Sequence, residues 1–357
     1  MDLRRHEIES HGSLALVSNS ICFTRELGMA ERKIGTVIYR RSLSPILGIF
    51  RLVPQDDLAF PPYTAGQYIA LRRESCRLTK KVIGADERIS YVPDLDETGR
   101  QKRGPVSHSY SISSAPWETL RHRYLEFYVI LHLDDKGQPG RLTESLFQID
   151  PERGDNAVTY FYKIAGEFTL EKRAAGYRNV VMVGTGTGLA PFASMVKQLH
   201  YEAAEGVVRD VRYTLLHGNR GRQELGYHEE LLTIERAQRI NFVYVPTVSR
   251  PSKADHADHT LGKGRANNVL RHISNEPLKE EEDLNRLAAQ GLDTARARAL
   301  LERAVHPVLP EHVSREMLRE RMDPESTVVL TCGNPDAMSD IKHTADSQGF
   351  HFEMEEW

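Results

Sequence analysis

Val180-Val181-Met182-Val183-Gly184-Thr185-Gly186-Thr187-Gly188-Leu189-Ala190-Pro191-Phe192 is the stretch whose reading decides the fold. The apolar run 180–183 has the length and composition of a buried parallel strand. Phe192, Met195, Val196 and Leu199 then recur at helical spacing. Between the two lies a glycine turn. Glycines without a Cβ let backbone N–H groups approach an anion, and the helix N-terminus adds partial positive charge. Pro191 suits the first helical turn, where its missing N–H would be unpaired anyway. A strand, glycine turn and helix of this kind are suited to hold a pyrophosphate.

A tight strand-to-helix corner also uses glycine for backbone reasons alone, and the spacing here departs from the G-x-G-x-x-G of the common dinucleotide fold. The next strand, 211–216, runs into His217-Gly218-Asn219-Arg220. An acidic residue that would bind the ribose of NAD is absent from its end, and Arg220 stands there instead.

At 357 residues the chain has room for two domains with separate cores. A net charge of −3 gives no general reason to expect nucleic acid or an anionic membrane as partner. The first twenty residues hold only the short apolar run 14–17, and no stretch is long and apolar enough to span a bilayer, so a cytoplasmic protein is expected. Cys22, Cys76 and Cys332 lie far apart, which excludes a disulfide framework and a four-cysteine iron–sulfur motif. His256 and His259 with Asp255 and Asp258 read as a solvated loop, and no metal is expected.

From residue 33 to about 170 the pattern is short β-like segments, at 35–39, 46–50, 67–71, 109–113 and 125–131, separated by turn residues as in a small antiparallel barrel. From about 178 the texture changes. Strands at 180–183, 211–216, 242–245 and 328–331 alternate with helical stretches, which predicts a doubly wound parallel sheet. The domain reading is an N-terminal extension 1–32, a barrel 33–172 and an α/β domain 173–357. Two insertions interrupt it. Residues 72–106 form a basic loop carrying Arg72, Arg73, Arg77, Lys80, Lys81, Arg100, Lys102 and Arg103, and 273–324 is a helical excursion with Asp293 and Thr294 as candidate caps.

His108-Ser109-Tyr110-Ser111 lies on a strand whose alternate side chains share a face, so Tyr110 can lie against a planar ligand beside the Ser111 hydroxyl. A flavin fits that description, and so does a half-buried structural strand. Gly140-Arg141-Leu142-Thr143 offers a glycine and a hydroxyl at a helix start, a second place shaped for phosphates.

With these segments in order, the chain resembles the ferredoxin-NADP reductase family over residues 33–272 and 326–357. That family holds FAD on a barrel through an R-x-Y-S strand and a glycine-hydroxyl helix start. It holds NADP(H) on an α/β domain through G-T-G-T-G and C-G segments. His217-Gly218-Asn219-Arg220 with Glu224, Leu225 and Tyr227 looks like its second nucleotide segment, Val248-Ser249-Arg250 like its third, and Gly264-Arg265 like the pair that follows. Cys332-Gly333-Asn334-Pro335 and the terminal Trp357 complete the set. One position departs: His108 stands where the family has Arg, and an imidazole carries full charge only below its pKa of about 6.5. Arg141 is the candidate replacement for that charge.

The resemblance implies an FAD-binding barrel followed by an NADP-binding parallel-sheet domain. It implies FAD contacts from His108, Ser109, Tyr110, Ser111, Tyr128, Val129, Ile130, Gly140, Arg141, Leu142, Thr143, Thr187 and Trp357. It implies NADP contacts from Gly184, Thr185, Gly186, Thr187, Gly188, Arg220, Ser249, Arg250, Arg265, Cys332, Gly333 and Asn334. Arg220, Arg250 and Arg265 stand where the family reads the 2′-phosphate, so NADPH is expected over NADH. Ser111, Cys332, Glu355 and Trp357 would surround the reacting rings: Ser111 toward flavin N5, Cys332 packed against nicotinamide C4, Glu355 relaying protons, and Trp357 covering the flavin. The implied activity is transfer of electrons from NADPH to a ferredoxin or flavodoxin, a small acidic carrier, by a monomer or weak dimer. A reductase component of an oxygenase and a flavin or quinone reductase share the same residues. A non-catalytic dinucleotide-binding regulator is the reading from another class.

Overall fold

The structure, a computed structural model, describes residues 31–84, 89–134 and 136–355. Its strands are β1 (Arg32–Ser44), β2 (Leu47–Pro54), β3 (Tyr68–Arg77), β4 (Thr79–Ile83), β5 (Ile89–Pro93), β6 (Arg103–Ser111), β7 (Leu125–Ile130) and β8 (Ala157–Ala165) in the first half. The second half holds β9 (Asn179–Thr185), β10 (Arg212–Asn219), β11 (Asn241–Val248), β12 (Gly262–Lys263), β13 (Thr327–Cys332) and β14 (His351–Met354).

Six of the first eight strands form an antiparallel sheet in the order β6-β3-β8-β1-β2-β7. Its edges curl together where Ser113 N–H donates to Glu126 O at 2.8 Å and Glu126 N–H donates to Ser114 Oγ at 3.1 Å, as a barrel requires. Inside lie Val37, Leu52, Ile69, Leu71, Leu125, Phe127, Val158 and Tyr160. The central strand β8, which the segment pattern above omits, has buried Val158 and Tyr160 at period-two spacing.

The second sheet has the order β12-β11-β10-β9-β13-β14, and every pair in it is parallel. Alternation along β9 divides the domain into two layers. Val180 and Met182 pack with Phe192 and Leu231 from the helices Leu189–Ala204 and His228–Ala237. Val181 and Val183 pack with Val269 and Ile341 from the helices Ala266–Ile273 and Pro335–Gln348. Burial on both faces explains why these strands read as continuous apolar runs. The chain order reverses at β9, with β10 on one side and β13 on the other, and that switch point is where ligands of open parallel sheets sit.

Residues 72–106 are not a loop. β3 and β6 extend as a paired ribbon from Tyr68↔Ser111 out to Arg77↔Arg103, and a β4–β5 hairpin continues beyond it. Their cations are largely structural: Arg73 is buried, with Nη2 at 2.6 Å from Asp155 and Nε donating to Ser145 Oγ. Arg72 pairs with Glu74, Arg77 with Glu144 and Lys102 with Asp94. Glu74 and Asp94 of the segment itself, with Glu144 and Asp155 of the barrel, neutralise part of its positive charge.

Residues 273–324 fold as the helices Lys279–Ala289, Ala295–Glu302 and Arg315–Arg319. Asp293, rather than Thr294, accepts the capping bond, from Ala295 N–H at 2.9 Å. Buried ties join barrel and sheet. Ser194 Oγ donates to Ser114 O at 2.7 Å, and Lys197 Nζ lies 2.7 Å from Glu118 and 3.5 Å from Glu126.

Candidate active site

The glycine turn after β9 and the end of β13 interlock. A Cβ on Gly188 would overlap the Cys332 carbonyl, and one on Gly333, whose φ is +132°, would overlap Thr185. Thr185 Oγ1 accepts from Asn334 N–H at 2.8 Å. Asn334 in turn caps the helix Pro335–Gln348, its Oδ1 accepting from Ala337 N–H at 3.1 Å. The two segments that sequence places 145 residues apart are therefore one surface, held by backbone contact that only glycine permits.

That surface forms one wall of a cavity of about 1110 Å³, lined by Thr185, Gly186, Arg220, Ser249, Arg250, Arg265 and Asn334 among others. Seven of the twelve expected nucleotide residues converge there, while Gly184, Thr187, Gly188, Cys332 and Gly333 do not line it, and the three arginines are not equivalent. Arg220 makes a bidentate pair with Glu224, at 2.8 and 2.7 Å, and Arg265 lies 3.3 Å from Glu280. Arg250 has no carboxylate partner among the described residues. Lys279 and Arg303, from residues 273–324, also line the cavity. No motif marks them; they reach it only because the chain returns there in three dimensions.

On the barrel side, Ser111 is buried and its Oγ has no hydrogen-bond partner among the described residues. Tyr110 is half-buried, set edge-on to Phe127 with ring centroids 6.4 Å apart, and burial pushes its phenol upward. His108 and Arg141 come together. Burial, and then the Arg141 guanidinium, hold the imidazole below its ordinary value of 6.5. His108 thus takes up a proton less readily than a free imidazole, with the Arg141 guanidinium as its charged neighbour. Gly140 is the N-cap of the helix Arg141–Phe147, with Thr143 Oγ1 donating to Gly140 O at 3.1 Å.

Some expected contacts are committed elsewhere as side chains. Val129 and Leu142 point into the barrel core. The Tyr128 hydroxyl donates to Glu224 O at 2.5 Å, and its ring stands edge-on to Tyr227. From β7, Ile130 is the exposed member.

Cys332 is buried, and burial followed by the Glu355 carboxylate pushes its thiol well above 9, so it is no thiolate nucleophile. Glu355 N–H donates to Thr331 O at 3.0 Å, while Glu355 Oε2 is buried without a partner among the described residues. Burial raises its carboxyl to about 8, with Arg173 opposing. Ser111 Oγ and Glu355 Oε2 are two of several buried polar atoms without a partner among the described residues, and a polar ligand would satisfy either. Thr187 is half-buried in the turn. Trp357 lies outside the described residues.

A profile of the oxidoreductase NAD-binding domain matches residues 182–288. Ferredoxin-NADP reductase of Azotobacter vinelandii is 31% identical over 191 residues, 50% of this chain and 65% of that protein. Flavodoxin/ferredoxin-NADP reductase of Rhodobacter capsulatus is 27% identical over 199 residues, 53% of this chain and 64% of that protein. These matches span under two thirds of the relatives' length. Among solved structures, a ferredoxin NADP+ reductase from Neisseria gonorrhoeae with bound FAD and NADP aligns at a TM-score of 0.52 and 18% identity, over 91% of this chain and 98% of that one. A flavohemoglobin from Malassezia yamatoensis aligns at 0.54 and 13%, over 94% and 64%. At these identities the structural likeness establishes the fold.

Proposed function

We propose that the chain is a flavoprotein oxidoreductase of the ferredoxin-NADP reductase kind, one that takes hydride from NADPH and passes electrons, through FAD, to a ferredoxin or flavodoxin. The observation that carries this reading is the convergence of the glycine turn, the Cys332-Gly333-Asn334 segment and three arginines on one cavity. Bound flavin would supply a two-electron hydride acceptor that releases electrons singly.

The chain's own residues would do the rest. Gly140, Arg141 and Thr143 hold the FAD phosphates, Arg141 supplying the charge beside His108. Tyr110 gives a planar face, and Ser111 its unpaired hydroxyl. The N–H groups of 185–188 cradle the NADPH pyrophosphate, and Arg250 reads the 2′-phosphate. Cys332 serves as a small apolar wall. Glu355, protonated at neutral pH, keeps a proton at a buried carboxyl oxygen, where a general acid is needed. Trp357 keeps its expected role as the ring's cover.

Four of the cations of 72–103 are paired with carboxylates and cannot steer an acidic carrier, and this favours keeping a second acceptor class in view, an oxygenase component or a flavin or quinone. The test is the spectrum of the purified protein before and after anaerobic NADPH. Bound flavin that bleaches promptly with NADPH and slowly with NADH is the expected result. Bound nucleotide without bleaching overturns the reading in favour of a regulator.

A further inference from the structure

Residues 273–324 are tied to the nucleotide domain at both ends. At the start, Lys279 N–H donates to Asn268 Oδ1 at 3.0 Å and Asn268 Nδ2 donates to Glu280 Oε2 at 2.8 Å. Arg271, nearly inaccessible, reaches Asp340 and Glu282, each at 2.6 Å. At the return, Lys263 and Val308 exchange backbone hydrogen bonds at 2.8 and 3.0 Å, so the chain comes back as an extra edge beside β12. Gly264, at φ +107°, leaves room for it: a Cβ there would lie 3.2 Å from Pro307 Cα and 3.3 Å from Val305 O. The excursion is therefore a fixed wall.

That wall meets the cavity through Lys279, Asp283, Leu300 and Arg303. Charge on the lining is mostly spoken for: Lys279 with Asp283, Arg265 with Glu280, Arg220 with Glu224. Among the described residues, the lining groups left without an ionic partner are two guanidinium groups, Arg250 and Arg303, and one carboxylate, Asp336. Leu300, 48% exposed, sits three residues before Arg303 and lines the same cavity. An exposed apolar side chain beside a free guanidinium is the pairing that a purine carrying a phosphate would cover.

Resting on the NADPH reading above, we propose that Arg303 is a specificity-determining residue that grips the 2′-phosphate together with Arg250, with Leu300 lying against the adenine. A guanidinium fork can take two phosphate oxygens, and the free state of both arginines means no internal ion pair must break first.

The test is calorimetric binding of 2′-phospho-AMP and of AMP to the full chain, in the wild type, Arg303→Ala, Arg250→Ala and Arg298→Ala, the last an exposed arginine of the same helix outside the cavity. Arg303→Ala should weaken 2′-phospho-AMP at least about tenfold, the loss of one charge-assisted hydrogen bond, and leave AMP unchanged. Arg298→Ala should change neither, and Arg303→Lys should recover part of the loss. Wild-type affinity for both ligands in Arg303→Ala, with discrimination lost in Arg250→Ala, overturns this proposal and spares the NADPH reading. A wild type that fails to prefer 2′-phospho-AMP overturns both.

Discussion

The basic ribbon of the barrel and the cavity at the edge of the parallel sheet are both rich in arginine, and individual arginines in them serve opposite ends. In the ribbon, Arg72, Arg73, Arg77 and Lys102 each meet a carboxylate of the barrel. In the cavity, Arg250 and Arg303 meet none among the described residues. An ion pair closed within the protein contributes shape, and an unpaired guanidinium facing a cavity is an invitation to an anion. Counting cations along a sequence does not distinguish the two. The surroundings of each one do.

The glycines differ in the same sense, and the largest effect should follow from breaking the cavity's backbone. Gly188→Ala forces a Cβ into the Cys332 carbonyl, and we expect a stability loss above about 3 kcal/mol in denaturant unfolding. Gly99, in the ribbon's turn at φ +79° with open space around it, should lose only about 1 to 2 kcal/mol as Ala. Equal costs at the two sites contradict the interlock of β9 and β13.

The next effect sharpens the ribbon's side. Arg73→Met leaves Ser145 Oγ and the Ala157 carbonyl without their donor, and stability should fall by about 2 kcal/mol while the NADPH Michaelis constant stays within twofold. A changed Michaelis constant at wild-type stability would make Arg73 a ligand residue instead.

The last effect appears only as pH changes. Glu355 has its carboxyl raised from 4.5 to about 8, so the folded state holds that proton more tightly than the unfolded state. Its contribution to stability is intact at low pH, declines as pH rises from about 4.5 and is fully lost above about 8. Glu355→Gln should flatten that decline, leaving the variant the more stable protein above pH 8. Parallel curves for the two proteins would place Glu355 in ordinary solvent.

The parallel sheet was legible because both its faces are buried: 180–183, 211–216, 242–245 and 328–331 stand out as apolar runs and fall within β9, β10, β11 and β13. The glycine turn and Cys332-Gly333-Asn334 were legible because close backbone approach leaves a residue-type mark. The barrel was harder. β8 shows only period-two alternation between Val158 and Tyr160, and the ribbon's charges appear unpaired until β3 and β6 align. Tyr128 looked like a ligand side chain because its segment position matched, whereas its hydroxyl is bound to Glu224 O. Arg303 was invisible, since it joins Arg250 through the return of a segment more than forty residues long.

The central claim is that unpaired arginines at the parallel-sheet edge choose NADPH. Its most direct measurement is the anaerobic stopped-flow rate of flavin reduction by NADPH and by NADH, in the wild type and in Arg250→Ala. The wild type should prefer NADPH, and Arg250→Ala should lose at least about tenfold of that preference through NADPH alone, with the NADH rate nearly unchanged. Equal losses with both nucleotides, or a wild type indifferent between them, would contradict it.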